Sequence, residues 1–237
     1  MDADVSHFSI KGPGKVENQD AIIGGLKVAD GVLFAVADGL GGLPAGEVAS
    51  KAALVALGLG IGIAGKPDFD AGFQQACRAL GEKEKAVPAN EGMATTISAA
   101  FLKDGKAHIG HVGDSRIYRL RYGKLSRMTK DQTRAQQMID AGEMTENESH
   151  HDVRQHVLLS CITARADFTL MTKSFGVETG DRFLLVTDGI YNVIDDAGLA
   201  EMTESAGTVA SLSEALFRAV DLIGPRDDAT AICLEIP

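Results

Sequence analysis

Val32-Leu-Phe-Ala-Val-Ala-Asp38-Gly-Leu-Gly-Gly42 is the stretch on which the reading of this chain turns. Its apolar run is short and contains β-branched and aromatic residues, so it reads as a buried strand. The strand runs out at an aspartate, and the glycine behind it lets the backbone turn sharply. Arg182-Phe-Leu-Leu-Val-Thr-Asp188-Gly189 repeats the design, and Asp227-Asp-Ala-Thr-Ala-Ile-Cys-Leu-Glu-Ile236 reverses it, acid first and strand after. Val112-Gly-Asp114-Ser-Arg-Ile-Tyr118 adds an aspartate inside a hairpin-like stretch. Taken singly, Asp-Gly pairs are ordinary turn formers. Strands pack side by side, however, so carboxylates at their ends can converge on one edge of a sheet. Converging carboxylates repel unless a cation sits between them, and hard divalent ions prefer such oxygen ligands. The pattern reads as a metal site.

Outward from these strands, residues 5–10, 21–23, 95–102, 107–112, 116–121, 125–128 and 168–174 also read as strands. Lys103-Asp-Gly105 and Tyr122-Gly123 supply tight turns. Residues 46–63, rich in Ala and Leu, read as a mostly buried helix. Residues 69–85 read as an amphipathic one, with Phe69, Phe73, Ala76, Cys77 and Leu80 on one stripe. Residues 131–139, 197–202 and 209–222 are helical as well, and Thr145-Glu-Asn-Glu148 forms a capping box. Helices grouped in pairs between hairpin-linked strands predict an α+β fold with antiparallel sheets. No repeat or Pro/Ser-rich linker divides the sequence, so residues 1–237 read as a single domain.

Composition narrows the function. Acidic residues outnumber basic ones 33 to 23, a net charge of −10, which argues against a sequence-independent nucleic-acid binder. The three cysteines, Cys77, Cys161 and Cys233, are scattered and form no CxxC motif, so each reads as a small core residue in a reducing compartment. The first residues lack the basic start and apolar core of a signal peptide, and the most apolar run, residues 52–64, is too short and Gly-rich to span a membrane. The expectation is a cytoplasmic monomer with no membrane or nucleic-acid partner.

Taken in order, Lys15-x-x-Asn18-Gln19-Asp20, Asp38-Gly-x-Gly-Gly42, Gly92-Met-Ala-Thr-Thr96, Gly113-Asp-Ser-Arg116, Asp188-Gly189 and Asp227-Asp-x-Thr230 resemble one family. It is the metal-dependent protein serine/threonine phosphatases, PPM or type 2C, in their short bacterial form. Each motif alone is weak, but six in this order and spacing cover nearly the whole chain. The resemblance implies a four-layer αββα sandwich, two central antiparallel sheets flanked by helix pairs. It implies that Asp38 bridges two divalent ions, Mn²⁺ or Mg²⁺, with the Gly39 carbonyl adding a ligand to the second. Asp188 and Asp227 would complete the first metal site, and Asp20 would hold the second ion directly or through water. Asp114 matches the position that joins Asp188 around a third, weaker metal. On this basis Asp38, Asp188 and Asp227 carry catalysis: hydrolysis of phosphoserine or phosphothreonine by a metal-activated water, with phosphoproteins as partners.

Three departures stand out. Lys15 occupies the place of an arginine that grips the substrate phosphate in relatives, and an ammonium cannot form the bidentate guanidinium fork. Leu40 stands where many eukaryotic members carry a histidine proposed as general acid. Gln19 replaces a frequent glutamate. The alternative reading is therefore a pseudophosphatase, or a binding module that recognises a phosphoprotein with little turnover. Among the histidines, His108 and His111 are three apart on a strand and point to opposite faces. His150, His151 and His156 read as solvated. The region matching the family's flap spans about residues 131–156. Its helical half has few apolar residues (Ala135, Met138, Ile139), which predicts low local stability.

Overall fold

The computed structural model of the protein describes residues 3–62, 67–149 and 152–237. His150, His151 and the expected end of the first helix at residue 63 lie outside the described residues. In chain order the strands are β1 (Asp4–Ile10), β2 (Asp20–Val28), β3 (Gly31–Asp38), β4 (Ile97–Lys103), β5 (Lys106–Val112), β6 (Arg116–Arg121), β7 (Lys124–Arg127), β8 (Met171–Gly176), β9 (Arg182–Val186) and β10 (Ala229–Glu235). The helices are α1 (Gly46–Gly60), α2 (Phe69–Ala86), α3 (Arg134–Asp140), α4 (Glu146–Ser149), α5 (Asp188–Tyr191), α6 (Asp196–Ser205) and α7 (Val209–Ile223).

The run quoted first is β3, and its alternation explains the layering. Leu33, Ala35 and Ala37 enter one apolar cluster, while Phe34 and Val36 enter another. Successive side chains point to opposite faces, so a strand apolar at every position must be covered on both sides. β4, β9 and β10 behave alike: Leu185, Ile232 and Leu234 face the middle, Leu184, Val186 and Cys233 the far side. Two five-stranded sheets result, ordered β2-β3-β4-β5-β8 and β1-β10-β9-β6-β7, and every strand pairing is antiparallel. The central cluster lies between them, with Phe34, Ala100 and Ile109 against Ile117, Phe183 and Leu185. α1 and α2 cover the first sheet through Ala53, Leu57, Phe73 and Leu80. α6 and α7 cover the second through Leu199, Leu212, Leu216 and Val220. The arrangement is the expected αββα sandwich.

Local signals account for the element ends. Asp195 caps α6 by accepting from the Gly198 amide at 2.8 Å, as its position before a helical run implies. Thr208 and Ser211 cap α7 reciprocally, and Thr145 and Glu148 do so for α4. Cys77 and Cys233 are buried, and all three cysteines are free thiols.

Three of the departures from the expected boundaries have a visible local cause. β2 extends to Val28 across a register shift between Gly24 and Leu26, where Gly25 adopts φ 121°. A bulge breaks the alternation on which strand recognition depends. α3 begins at Arg134 rather than 131, because the Thr133 side chain caps it and Asp131 is committed to Arg116. β8 begins at Met171 rather than 168, since the Thr169 backbone is bonded by the Ser160 hydroxyl and the Gln132 amide instead of by β5.

Because Leu185 sits at zero exposure between the sheets, Leu185→Ala should cost about 2–5 kcal/mol of unfolding free energy. Leu222→Ala, at an 88% exposed position on α7, should fall within about 0.5 kcal/mol of wild type. Chemical denaturation midpoints at constant slope check both values.

Candidate metal centre

The aspartates singled out in the sequence meet at one end of the sandwich. Asp20 opens β2 and Asp38 closes β3, and the two are register partners. Asp188 follows β9, Asp227 precedes β10, and these strands are neighbours, with the Thr187 amide donating to the Thr230 carbonyl at 3.1 Å. Asp114 sits in the short link between β5 and β6 and is 7% exposed. Strand ends from both sheets thus supply one cluster.

Backbone contacts hold it in place. The Asp38 carbonyl accepts from the Thr96 amide and the Thr95 hydroxyl, each at 2.8 Å, and the Asp38 amide donates to the Thr96 hydroxyl at 3.0 Å. The Asp-Gly glycines are required by close approach rather than by turn conformation, since neither Gly39 nor Gly189 has positive φ. A Cβ on Gly39 would lie 2.1 Å from the Gly46 carbonyl oxygen, and one on Gly189 would lie 2.1 Å from that of Asp228.

Electrostatically the cluster is over-supplied with negative charge. Burial raises the Asp20 carboxyl to about 7, against the Thr187 hydroxyl that donates to its Oδ2 at 2.8 Å. Burial, then the charges of Asp20, Asp188, Asp114 and Asp227, holds Asp38 well above the usual carboxylate range. Asp114 is raised by burial, Asp188 and Asp131, with Arg116 opposing. Asp188 is pushed to about 6 by burial and Asp227, with His156 and Lys15 opposing. Buried oxygens of Asp20 (Oδ1) and Asp188 (Oδ1) have no hydrogen-bond partner. Partnerless oxygens in a crowd of carboxylates are what a cation would satisfy, so the donor set fits hard divalent ions. Among the described residues no three acidic, His or Cys groups close into a cage around one ion. Mg²⁺-like ions keep several waters, so water would complete a shell that the side chains leave open.

Lys15 stands at the edge of the cluster, its ammonium on the Asp227 carboxylate and 2.9 Å from Asp228 Oδ2. Burial works against its charge, but the hydrogen bonds and charges of both aspartates outweigh that and raise its pKa. Asp228 went unremarked in the sequence. Its buried side chain also accepts from the Gly12 amide at 2.7 Å and the Gln19 amide at 2.8 Å, mooring the loop before β2. These partners are more than 200 residues distant in sequence, so no local pattern announces them. The doubled acid at Asp227-Asp228 was the one available signal.

His156 departs from the solvated reading. Although half exposed, its Nδ1 lies 3.8 Å from Asp188 Oδ2. His111 is buried on β5 with its ring nitrogens on the Ser98 hydroxyl (2.8 Å) and the Lys130 carbonyl (3.1 Å), turned away from the half-exposed His108. Beside the cluster a cavity of about 430 Å³ lies between α3, α4 and the 3₁₀ turn Val153–His156 on one side and Tyr191, Asn192 and Asp195 on the other.

A family profile described as protein phosphatase 2C matches residues 14–220. The chain belongs to the protein phosphatase 2C family. It is 29% identical to the serine/threonine protein phosphatase PstP of Mycobacterium tuberculosis, over 96% of this chain and 44% of that protein. The chain thus spans less than half the length of that relative. Protein phosphatase PhpP of Streptococcus pneumoniae is 26% identical over 98% of this chain and 97% of its own. A solved structure of the catalytic domain of PstP in complex with two manganese ions superposes with a TM-score of 0.86 at 27% identity, covering 99% of both chains. This 2C-family chain therefore shares its fold with a phosphatase catalytic domain that was solved with two manganese ions.

The raised carboxyls have a measurable consequence. An acid whose folded pKa exceeds its unfolded value holds its proton longer when folded, so its contribution to stability is present below the unfolded pKa and lost as pH rises through the folded one. For Asp20 that window runs from 3.8 to about 7. In chelator, Asp20→Asn should gain stability relative to wild type progressively across this window, read from denaturation midpoints against pH. Saturating Mn²⁺ should reverse the ranking at neutral pH.

Proposed function

We propose that this chain is a metal-dependent protein serine/threonine phosphatase, hydrolysing phosphoserine and phosphothreonine with an activated water. The observation that carries the reading is the pair of buried, partnerless carboxylate oxygens on Asp20 and Asp188, within a cluster that includes Asp38, Asp114 and Asp227. In this reading Asp38 would be held in common by two divalent ions, with the Gly39 carbonyl available as a further ligand. Asp188 and Asp227 would complete the first site, Asp20 would support the second, and Asp114 would join Asp188 around a third, weaker ion. When bound, the ions supply charge to the phosphoryl group and activate the water. The chain's own residues hold that arrangement rigid: Thr95 and Thr96 fix Asp38, and the Thr187 hydroxyl orients Asp20. Lys15 offers positive charge to the substrate phosphate. The assembled carboxylates favour turnover over a binding-only role.

The substrates in this reading are phosphoproteins made by a serine/threonine kinase. Three free cysteines suit a reducing cytoplasm, and among the described residues no helix is long and apolar enough to cross a membrane. We read residues 1–237 as one catalytic domain acting as a monomer, with residues 131–156 as a flap. Only Ala135 and Gln136 of α3 are buried, and the turn Val153–His156 buries nothing, which supports a loosely held substrate-facing segment.

Hydrolysis of p-nitrophenyl phosphate should require Mn²⁺ or Mg²⁺ and stop in EDTA; full activity in chelator would exclude the assignment. Asp38→Ala and Asp188→Ala should each lower kcat at least about a hundredfold, because each removes preorganised charge at the phosphoryl group. Shortening the flap within residues 143–149 should spare p-nitrophenyl phosphate turnover while lowering kcat/KM on a phosphopeptide. An equal loss on both substrates would assign the segment to the chemistry instead.

A further inference from the structure

The Asp227 carboxylate already holds one cation. Its oxygen Oδ1 receives both the Lys15 ammonium and, at 2.6 Å, the amide of Asp228. Asp227 is the most exposed part of this contact, with 46% of its side chain accessible, against 22% for Lys15 and 1% for Asp228. Asp228 is immobilised by the Gly12 and Gln19 amides as well as by Lys15. The ammonium thus rests on two carboxylates of unequal freedom. A divalent ion arriving at Asp227 meets a positive charge on the same carboxylate, at a separation well inside the Debye length, where salt screens the repulsion little.

We propose that Lys15 is a tethered counter-ion of the first metal position, displaced from Asp227 when a divalent ion loads. This rests on the phosphatase reading for the role of Asp227. Without metal, Lys15 neutralises Asp227 and limits repulsion within the aspartate cluster. On loading, it yields Asp227 but keeps Asp228, whose moorings hold the Gly12-to-Gln19 loop against the cluster. The flexible four-carbon stem and three rotatable donors of lysine permit that partial release. Its freed donors then face the position of an incoming phosphate, so phosphate capture becomes conditional on metal occupancy. The coupling is reciprocal: what Lys15 costs the metal, the metal costs the Lys15–Asp227 pair.

The test is calorimetric titration of Mn²⁺ into chelator-stripped wild type, Lys15→Met and Lys15→Arg, with thermal unfolding in EDTA alongside. Lys15→Met should bind Mn²⁺ at one site about tenfold more tightly than wild type, the scale on which one close charge moves a neighbouring equilibrium. It should also melt below wild type in EDTA, with the gap closing as Mn²⁺ is added. Lys15→Arg, which keeps the charge, should bind Mn²⁺ close to wild type. Unchanged or weaker Mn²⁺ binding by Lys15→Met overturns the inference while leaving the phosphatase reading standing. Failure of wild type to bind Mn²⁺ at all overturns both. A second measurement needs no variant: in ¹⁵N-lysine-labelled wild type the Lys15 side-chain resonance should shift on saturation with Mg²⁺, and an unmoved resonance also overturns the inference.

Discussion

Repulsion among buried carboxylates is the constraint around which this end of the molecule is organised. Asp20, Asp38, Asp114 and Asp188 lie in a region where burial alone disfavours their charge, and each is raised further by its neighbours. An isolated chain would relieve such strain by moving the strand ends apart. The sandwich prevents this, because three of the strands that run into the cluster are among its most buried ones. β3 and β9 are packed on both faces, and every position of β10 from Ala229 to Leu234 is buried. Hydrophobic packing of the centre therefore holds together a polar end that would not stay together by itself.

The supporting contacts show the same division of labour. Thr95, Thr96 and Thr187 bond backbone or carboxylate atoms of the cluster through hydroxyls, which are too short to adjust. Gly39 and Gly189 allow main chain to approach main chain more closely than any side chain would permit. Rigid support of this kind fixes ligand positions before an ion arrives, so little ordering remains to be done on binding. Arg116 extends the support outward. It holds Asp131 through several hydrogen bonds, the shortest 2.7 Å, and its guanidinium lies 3.7 Å from the centre of the Tyr191 ring.

How much of this the sequence disclosed follows from distance and alternation. β3, β9 and β10 were legible because unbroken apolar runs ending at Asp, or beginning there, have few other readings. The convergence of the aspartates was legible for the same reason. β2 was legible only in its first residues, since its bulge at Gly24 and Leu26 and its exposed second half erase the period. The stretch before β8 misled because Phe168 and Leu170 pack against the core cluster without joining a sheet, so their apolar character marks burial and not pairing. Asp228 was illegible because its partners come from the other end of the chain. His156 was illegible as well: a polar stretch predicts exposure, and its side chain is exposed, yet one ring nitrogen still faces Asp188.

The same ledger of charge separates the fixed part of the site from the movable part. Carboxylates that pair with a cation fully held by its own network, such as Asp131 with Arg116, stay where they are whether or not anything binds. Asp227 pairs with a lysine that has a second carboxylate to fall back on, and it is itself half exposed, so its contact can open at little cost to the fold. The segment proposed as a flap sits between these extremes. Its root is tied by Asp131 to Arg116 and by the Arg134 amide to the Val157 carbonyl at 2.8 Å, while α4 rests on its own cap and on α3. A segment fixed at its base and thinly packed beyond it can change what it touches without disturbing the aspartates. In the proposed phosphatase reading, chemistry and substrate choice would then rest on elements of different stiffness.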